Sequence, residues 1–384
     1  MSEPHYVSQE SVGLLIDQYE LTMVQAYLKA RMRDTASFDL FARNPPPQRP
    51  CLLACGVDEA IDLVASLRFP RPLLDRLASF GLFDDELLGF LEGFRFTGDI
   101  RAVREGTPVF GDEPILEVTG PLPEAQLLET ILLNQVTMST TLASKGAAVV
   151  RAARGTAPIV DFGLRRMHGF DAGLKSVHAF AVAGVGATSN VLGGSMYGVD
   201  VTGTMAHSFI QAFDREIDAF ETFAREYGAT TLLIDTYDTE RGAHRVVDLY
   251  RKMGDDFGIR AVRIDSGDLD AMSCRVRAIL DEGGLERVKI FVSGGLDERK
   301  IARLVEAGAP IDGFGVGTSM GVSEDDPSLD TAYKLVEYAG RGRLKLSSGK
   351  GTLPGRKQVF RVPGADGMAD HDVIARAGEH IEGE

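Results

Sequence analysis

Four polar residues recur at nearly constant intervals in the second half of the chain. They are His207 in "VTGTMAHS", Asp235 in "TTLLIDTYD", Asp265 in "IRAVRIDSGD" and Ser293 in "VKIFVSGG". The steps between them are 28, 30 and 28 residues, each the length of one strand, loop and helix. An imidazole among carboxylates can act as a nucleophile or move protons. The neighbours of His207, "TM" before and "SF" after, offer no metal-ligand partner. Side chains alternate along a strand, so Arg263 and Asp265 share one side in "RAVRID", as Asp235 and Tyr237 do in "LLIDTYD". Charges at alternate positions of a buried strand are costly unless paired or solvated. A structural ion pair would explain one such aspartate. Two aspartates, an arginine and a histidine at matched heights point instead to a functional mouth.

Two glycine turns follow in the next units, "VSGGLDER" (292–299) and "FGVGTS" (314–319). Backbone N–H groups in such turns can cradle a phosphate beside a helix N-terminus. A third cluster is "DFGLRRMHGFDA" (161–172), where Phe162 could stack on a planar ring and Arg165 and Arg166 could meet a carboxylate or phosphate. Spacing does not choose between that role and a basic surface loop. The "DFG" triplet is no kinase signature, because no glycine-rich loop, "VAIK" or "HRD" accompanies it.

Repeated units must hold these groups. Apolar runs ending in a polar or glycine-rich turn occur at 157–163, 185–190, 201–208, 230–238, 259–268, 288–295 and 312–319. Helical stretches separate them. Phe213, Ile217, Phe220, Ala224 and Tyr227 mark one face of a helix over 211–227. Asp297 is placed as an N-cap and Gly308 as a helix terminator. Strand, loop and helix in repetition imply parallel strands with helical crossovers. Polar residues at nearly every strand end favour an irregular α/β barrel of about seven strands, spanning 151–331, over an open sheet.

Residues 1–150 read as a different, α+β domain. Alternating runs "ASFDLFAR" and "PCLLACG" flank "NPPPQRP", short helices follow, and the segment 100–120 has antiparallel punctuation. A long helical region over 122–154 leads into the barrel. Three later strand-like pieces, "AYKLVEYAG", "GRLKLSS" and "RKQVFRV", need partners, so 332–384 is expected to rejoin the first domain and make it discontinuous. The last two dozen residues are polar and expected to be loosely held.

Composition sets outer bounds. The chain has 384 residues and a net charge of −15, which excludes sequence-independent nucleic-acid binding but not small anions in an arginine-lined cleft. Cys51, Cys55 and Cys274 are too few for a disulfide framework. The polar N-terminus is no signal peptide, and no apolar run is long enough to span a bilayer, so the expectation is a soluble, cytoplasmic protein.

Taken in order, "LLIDQYELTM", "DFGLRR", "GATSNVLGG", "GTMAHSF", "LLIDTYDTERG", "VRIDSGDL", "FVSGGLDE", "FGVGTS" and "TLPGRKQVFR" resemble the nicotinate phosphoribosyltransferases over nearly the whole chain. The resemblance implies conversion of nicotinate and phosphoribosyl pyrophosphate to nicotinate mononucleotide and pyrophosphate, with ATP hydrolysis coupled and Mg²⁺ as cofactor. This is the entry step of NAD salvage from nicotinic acid. It implies a homodimer with shared active sites. His207 matches the histidine phosphorylated by ATP, and Asp235 the carboxylate that would hold its ring. Phe162 and Tyr19, the latter from a partner subunit, would sandwich the pyridine. Arg263 would meet its carboxylate and Asp265 the ribose hydroxyls. Ser293, Gly294, Gly295, Gly317 and Thr318 would hold the 5′-phosphate with Arg165. Lys145, Arg43 and Lys350 would hold pyrophosphate. Ser189 stands where nicotinamide-using relatives carry an aspartate, which would repel a carboxylate.

Three rivals remain. One is transfer to nicotinamide or another pyridine. A second is a barrel lyase or aldolase, which needs a strand-end lysine or metal set; Lys289 opens its strand at the wrong end. A third is a non-catalytic binder that kept the fold.

Overall fold

The computed structural model describes residues 11–346 and 351–380. Two compact units divide the chain, one of Met1–Thr140 with Ser328–Glu384 and the other of Thr141–Pro327. These boundaries lie ten and four residues before those expected from sequence patterning, 150/151 and 331/332.

Seven parallel strands build the second unit: Ile159–Asp161, Ala187–Thr188, Asp200–Val201, Thr231–Leu233, Ala261–Ile264, Lys289–Val292 and Gly313–Val316. Each pairs with its neighbour in sequence except at one place, and the last pairs with the first, Phe314 beside Ile159 and Val316 beside Asp161. Closure of last strand on first is barrel topology. The exception lies between the third and fourth strands, which share no ladder among the described residues. The barrel is therefore open along one seam.

Apolar stripes on the helices cover this sheet. Val246, Val247 and Leu249 of Thr239–Met253 are buried, as are Val276 and Leu280 of Leu269–Glu282 and Ile301 and Leu304 of Glu298–Glu306. Asp297 caps the last of these by accepting from the Lys300 N–H at 2.7 Å, and Gly308 beyond it has φ +70°. The helix expected over 211–227 begins only at Glu216 and runs to Tyr227, after a separate short helix His207–Gln211. The chain breaks at Arg215, whose guanidinium holds Asp218 and whose backbone is extended.

In the first unit, a five-stranded antiparallel sheet runs in the order Arg341–Gly342, Thr331–Tyr338, Thr35–Ala42, Pro114–Pro121, Asp99–Ala102. The strand at 331–338 thus returns beside 35–42, and Tyr333 stacks on Phe38 with ring centroids 4.8 Å apart. Two details differ from expectation. "GRLKLSS" is not a strand over 343–346, and "RKQVFRV", which lies in the first unit, pairs with no strand of its five-stranded sheet. Lys357–Pro363 pairs instead with Ala369–Arg376, so part of the polar tail expected to be loose is a strand of a hairpin. Among the described residues, no helix is long and apolar enough to cross a membrane.

Candidate active site

Arg263 is central in the barrel unit. It lies in the fifth strand, in register with Leu233 on one side and Phe291 on the other. Its Nε donates to Ser293 Oγ at 2.8 Å, Nη1 to Thr204 Oγ1 at 2.8 Å and Nη2 to Asp265 Oδ1 at 2.6 Å. The guanidinium carbon also lies 5.3 Å from the centroid of the Phe162 ring. Arg263 and Asp265 do share a side, as alternation requires. Three of the five guanidinium N–H groups are used, and two remain for a ligand.

Phe162 needs room that the sequence supplies on the last strand. A Cβ on Gly315 would come within 2.6 Å of the Phe162 ring, and one on Gly313 within 2.6 Å of Phe291. These glycines of "GFGVG" therefore admit two aromatic rings, tilted at 54° with centroids 5.9 Å apart. Phe291 is a site residue that the sequence argument passed over. The alternation applied to "RAVRID" finds it two places before Ser293 in "KIFVS".

Asp265 follows the fifth strand. Burial would push its carboxyl up, yet hydrogen bonding from Ser293, the Arg263 guanidinium and the nearby His207 hold it below the usual carboxylate range. Its N–H donates to Asp235 Oδ2 at 2.9 Å, and Ser266 Oγ donates to the same oxygen at 2.5 Å. The other oxygen, Asp235 Oδ1, is buried with no partner among the described residues. Such an atom is costly unless a ligand or cation completes it.

His207 does not end a strand. The third strand stops at Val201, and after Gly203 the chain reaches His207 as the first residue of a short helix. Even so, the imidazole arrives at the same place. Nδ1 lies 3.1 Å from Thr236 Oγ1 and Nε2 lies 4.0 Å from Asp265 Oδ2. Thr236 thus takes the orienting position expected of Asp235. The Asp235 carboxylate is already engaged by the Asp265 backbone and Ser266, its neighbours on the adjacent strand. Thr204 and His207 both come from the segment after the third strand, so side chains bridge the open seam. Neither Thr204 nor Thr236 carried a signal in the sequence.

Gly294 and Gly295 are exposed after the sixth strand. Gly294, at φ +92°, has no space for a side chain because a Cβ would fall on the Asp265 carbonyl. The N-terminus of the following helix does not serve a phosphate as expected: Asp297 already caps it, and a carboxylate at this position disfavours a second anion. Positive charge is nevertheless present. Lys300 and Arg303 line, with Gly294 and Asp268, a cavity of about 350 Å³, and Lys300 Nζ donates to the Gly295 carbonyl at 2.5 Å. Thr318 is exposed at the end of the seventh strand, after Gly317. Arg165 is exposed in the turn Leu164–Arg166, and Ser189 follows the second strand with its N–H on the Asp161 carbonyl at 2.8 Å.

Other expected residues fall elsewhere. Lys145 is no free pyrophosphate ligand: it is 1% exposed and bridges Glu298 at 2.6 Å and Asp325 at 2.8 Å, two carboxylates that occupy its ammonium. Tyr19 and Arg43 belong to the first unit. Tyr19 is 45% exposed on helix Gln18–Lys29, and burial together with Glu129 pushes its hydroxyl pKa up. Arg43 pairs with Asp330 at 2.9 Å. Lys350 lies outside the described residues. Lys289 begins its strand, exposed, which leaves the lyase alternative without its amine.

Comparisons with known proteins agree with this geometry. Residues 14–137 match the sequence model of the nicotinate phosphoribosyltransferase N-terminal domain, and residues 157–345 match that of the nicotinate phosphoribosyltransferase family. A nicotinate phosphoribosyltransferase of Mycobacterium tuberculosis is 50% identical over 378 residues, covering 98% of this chain and 81% of the relative. The crystal structure of human nicotinic acid phosphoribosyltransferase superposes with a TM-score of 0.84 at 29% identity, covering 95% of this chain and 82% of that one. A Pyrococcus furiosus nicotinate-nucleotide pyrophosphorylase gives 0.80 at 25% identity, covering 100% and 88%. The chain belongs to the nicotinate phosphoribosyltransferase family.

Proposed function

We propose that this protein transfers the phosphoribosyl group of phosphoribosyl pyrophosphate to the ring nitrogen of nicotinate, and that ATP hydrolysis is coupled to the transfer through His207. The supporting observation is convergence: Phe162, His207, Asp235 and the pair Arg263 and Asp265 come from four βα units and meet beside the open seam.

Each group has a role its surroundings permit. Phe162 offers a flat face, and the remaining Arg263 N–H groups suit a carboxylate. The nicotinate nitrogen forms its bond to ribose C1 as the C1–O bond breaks, and that electron pair leaves with pyrophosphate. Positive charge grows on the sugar, and the Asp265 carboxylate, with Asp235 beside it, stabilises it electrostatically. The exposed turns at Gly294–Gly295 and Gly317–Thr318, with Lys300 close by, suit the 5′-phosphate. In the coupled step, Nδ1–H donates to Thr236 Oγ1, leaving the Nε2 lone pair to attack the γ-phosphorus. The bond from phosphorus to the bridging oxygen breaks, ADP departs, and later hydrolysis returns the imidazole. Asp235 Oδ1, buried and unpartnered, is the kind of hard oxygen that Mg²⁺ prefers, with Asp265 nearby. Bound Mg²⁺ would neutralise phosphate charge. A homodimer, in which the partner subunit's Tyr19 covers the second face of the pyridine, accords with the exposure of that ring.

Steady-state turnover of nicotinate against nicotinamide tests the proposal. Nicotinate should be preferred by at least roughly a hundredfold in kcat/KM, and Ser189→Asp should erode that preference. Preferred use of nicotinamide, or no nucleotide from either, contradicts it.

A further inference from the structure

The aspartate that opens the "DFG" motif takes no part in the chemistry above. Asp161 ends the first barrel strand and is 1% exposed. Its Oδ1 accepts from the Gly163 N–H at 2.7 Å, and its Oδ2 accepts from the Thr188 hydroxyl at 2.8 Å. Thr188, in register with it on the second strand, accepts from the Asn190 N–H at 3.1 Å. Asn190 completes the chain, accepting from the Gly193 N–H at 3.0 Å and donating to the Gly173 carbonyl at 2.8 Å. Asp161, Thr188 and Asn190 are all buried. Among the described residues no cation faces the carboxylate, and burial pushes its pKa up. An uncompensated carboxylate inside a barrel wall is expensive and calls for a reason beyond filling space.

The placement supplies that reason. Alternation turns Asp161 and Thr188 to one face and the residues after them, Phe162 and Ser189, to the other. The carboxylate therefore holds the peptide that follows Phe162 and the side chain that precedes Ser189. Further bonds tie the same two points: Ser189 N–H to the Asp161 carbonyl at 2.8 Å, and Phe162 N–H to the Val316 carbonyl at 2.9 Å.

We propose that Asp161 is a positioning residue which, through the Gly163 N–H and the Thr188 hydroxyl, fixes Phe162 and Ser189 relative to each other and so sets the ring subsite for a pyridine carboxylate. The inference deepens the proposed function and rests on it. Both bonds demand acceptors. An asparagine offers one oxygen, so its NH₂ would face either the Gly163 N–H or the Thr188 hydroxyl, which would have to turn its proton away and give up its bond to position 161 as donor. A site held to within a fraction of an ångström depends on such supporting bonds.

Kinetics of Asp161→Asn and Thr188→Val, with one substrate saturating while the other is varied, test this. The KM for nicotinate should rise about tenfold or more in each, while the KM for phosphoribosyl pyrophosphate stays within about twofold. The double variant should raise the nicotinate KM by less than the product of the two single effects, because both variants cut the bond between Asp161 and Thr188. Thr188→Ser, which keeps the hydroxyl, should retain the wild-type KM. Amide hydrogen exchange at Gly163 and Ser189 should quicken in Asp161→Asn, a readout that does not depend on turnover. Equal shifts in both KM values with a lowered Tm would mark a merely structural residue and overturn the proposal. So would an unchanged nicotinate KM, or unchanged exchange at those two amides. Should the wild-type protein make no nucleotide from nicotinate, the proposed function falls, and the exchange measurement still decides whether Asp161 positions these residues.

Discussion

Arg263 shows how one side chain can organise several others. Its three occupied N–H groups reach Thr204, Asp265 and Ser293, and its flat face lies against Phe162, so any ligand carboxylate meets a cation already fixed in orientation. Pre-orientation of this kind reduces the ordering cost of binding. In the other unit, a single titration carries a different consequence. Glu20 is fully buried, its Oε1 accepts from the Thr130 N–H at 3.0 Å, and its Oε2 has no partner among the described residues. Burial raises its pKa from 4.5 to about 7. The fold thus favours the protonated form. That contribution is fully present below the unfolded value of 4.5 and is lost as pH rises through about 7. Wild-type stability relative to Glu20→Gln should therefore fall between about pH 5 and 8, by something on the order of 3 kcal/mol. Thermal unfolding of both proteins across that range checks it, and parallel curves would contradict it.

At the scale of elements, the strands carried most of the legible signal. Short apolar runs ending in a polar or glycine-rich turn marked six of the barrel strands, because a buried parallel strand is apolar along most of its length and polar at its mouth, whereas the third, Asp200–Val201, is exposed and only Val201 falls in its expected run. Loops were illegible. The route from Val201 to His207 follows no period, so the histidine's place could be inferred only through its interval from Asp235. Thr204 and Thr236 have no distinguishing spacing at all. Lys145 misled for a related reason: a lysine on a helix gives no hint of which carboxylates lie opposite. Its ammonium joins the long helix Glu129–Ala152 to Glu298, at the start of a barrel helix, and to Asp325. Removing it leaves those two carboxylates mostly buried and unneutralised. Lys145→Met should destabilise the protein by about 3–5 kcal/mol while leaving the KM for phosphoribosyl pyrophosphate unchanged. A rise in that KM with unaltered unfolding would restore the lysine to the substrate.

For the molecule as a whole, the barrel's open seam is where the polar cluster gathers. Closure by last strand on first was implied by polar residues at successive strand ends, but the gap was not, since no residue type announces a missing ladder. Side chains occupy the seam, Thr204 reaching Arg263 and His207 reaching Thr236. The imidazole thereby joins a cluster whose other members are fixed on the sheet. The chain carries a net charge of −15, and in the barrel unit Arg263 pairs with Asp265 while Lys300 and Arg303 line their cavity together with Asp268 and Asp270, so cations and carboxylates are interleaved there. Phosphate mapping tests the central claim that this cluster is one reacting centre. After incubation of the purified protein with ATP and Mg²⁺, mass spectrometry should locate a single acid-labile phosphate on His207. The His207→Ala variant should lack it, lose ATP stimulation and keep some uncoupled transfer. Phosphate on another residue, or full ATP stimulation in His207→Ala, would contradict the account.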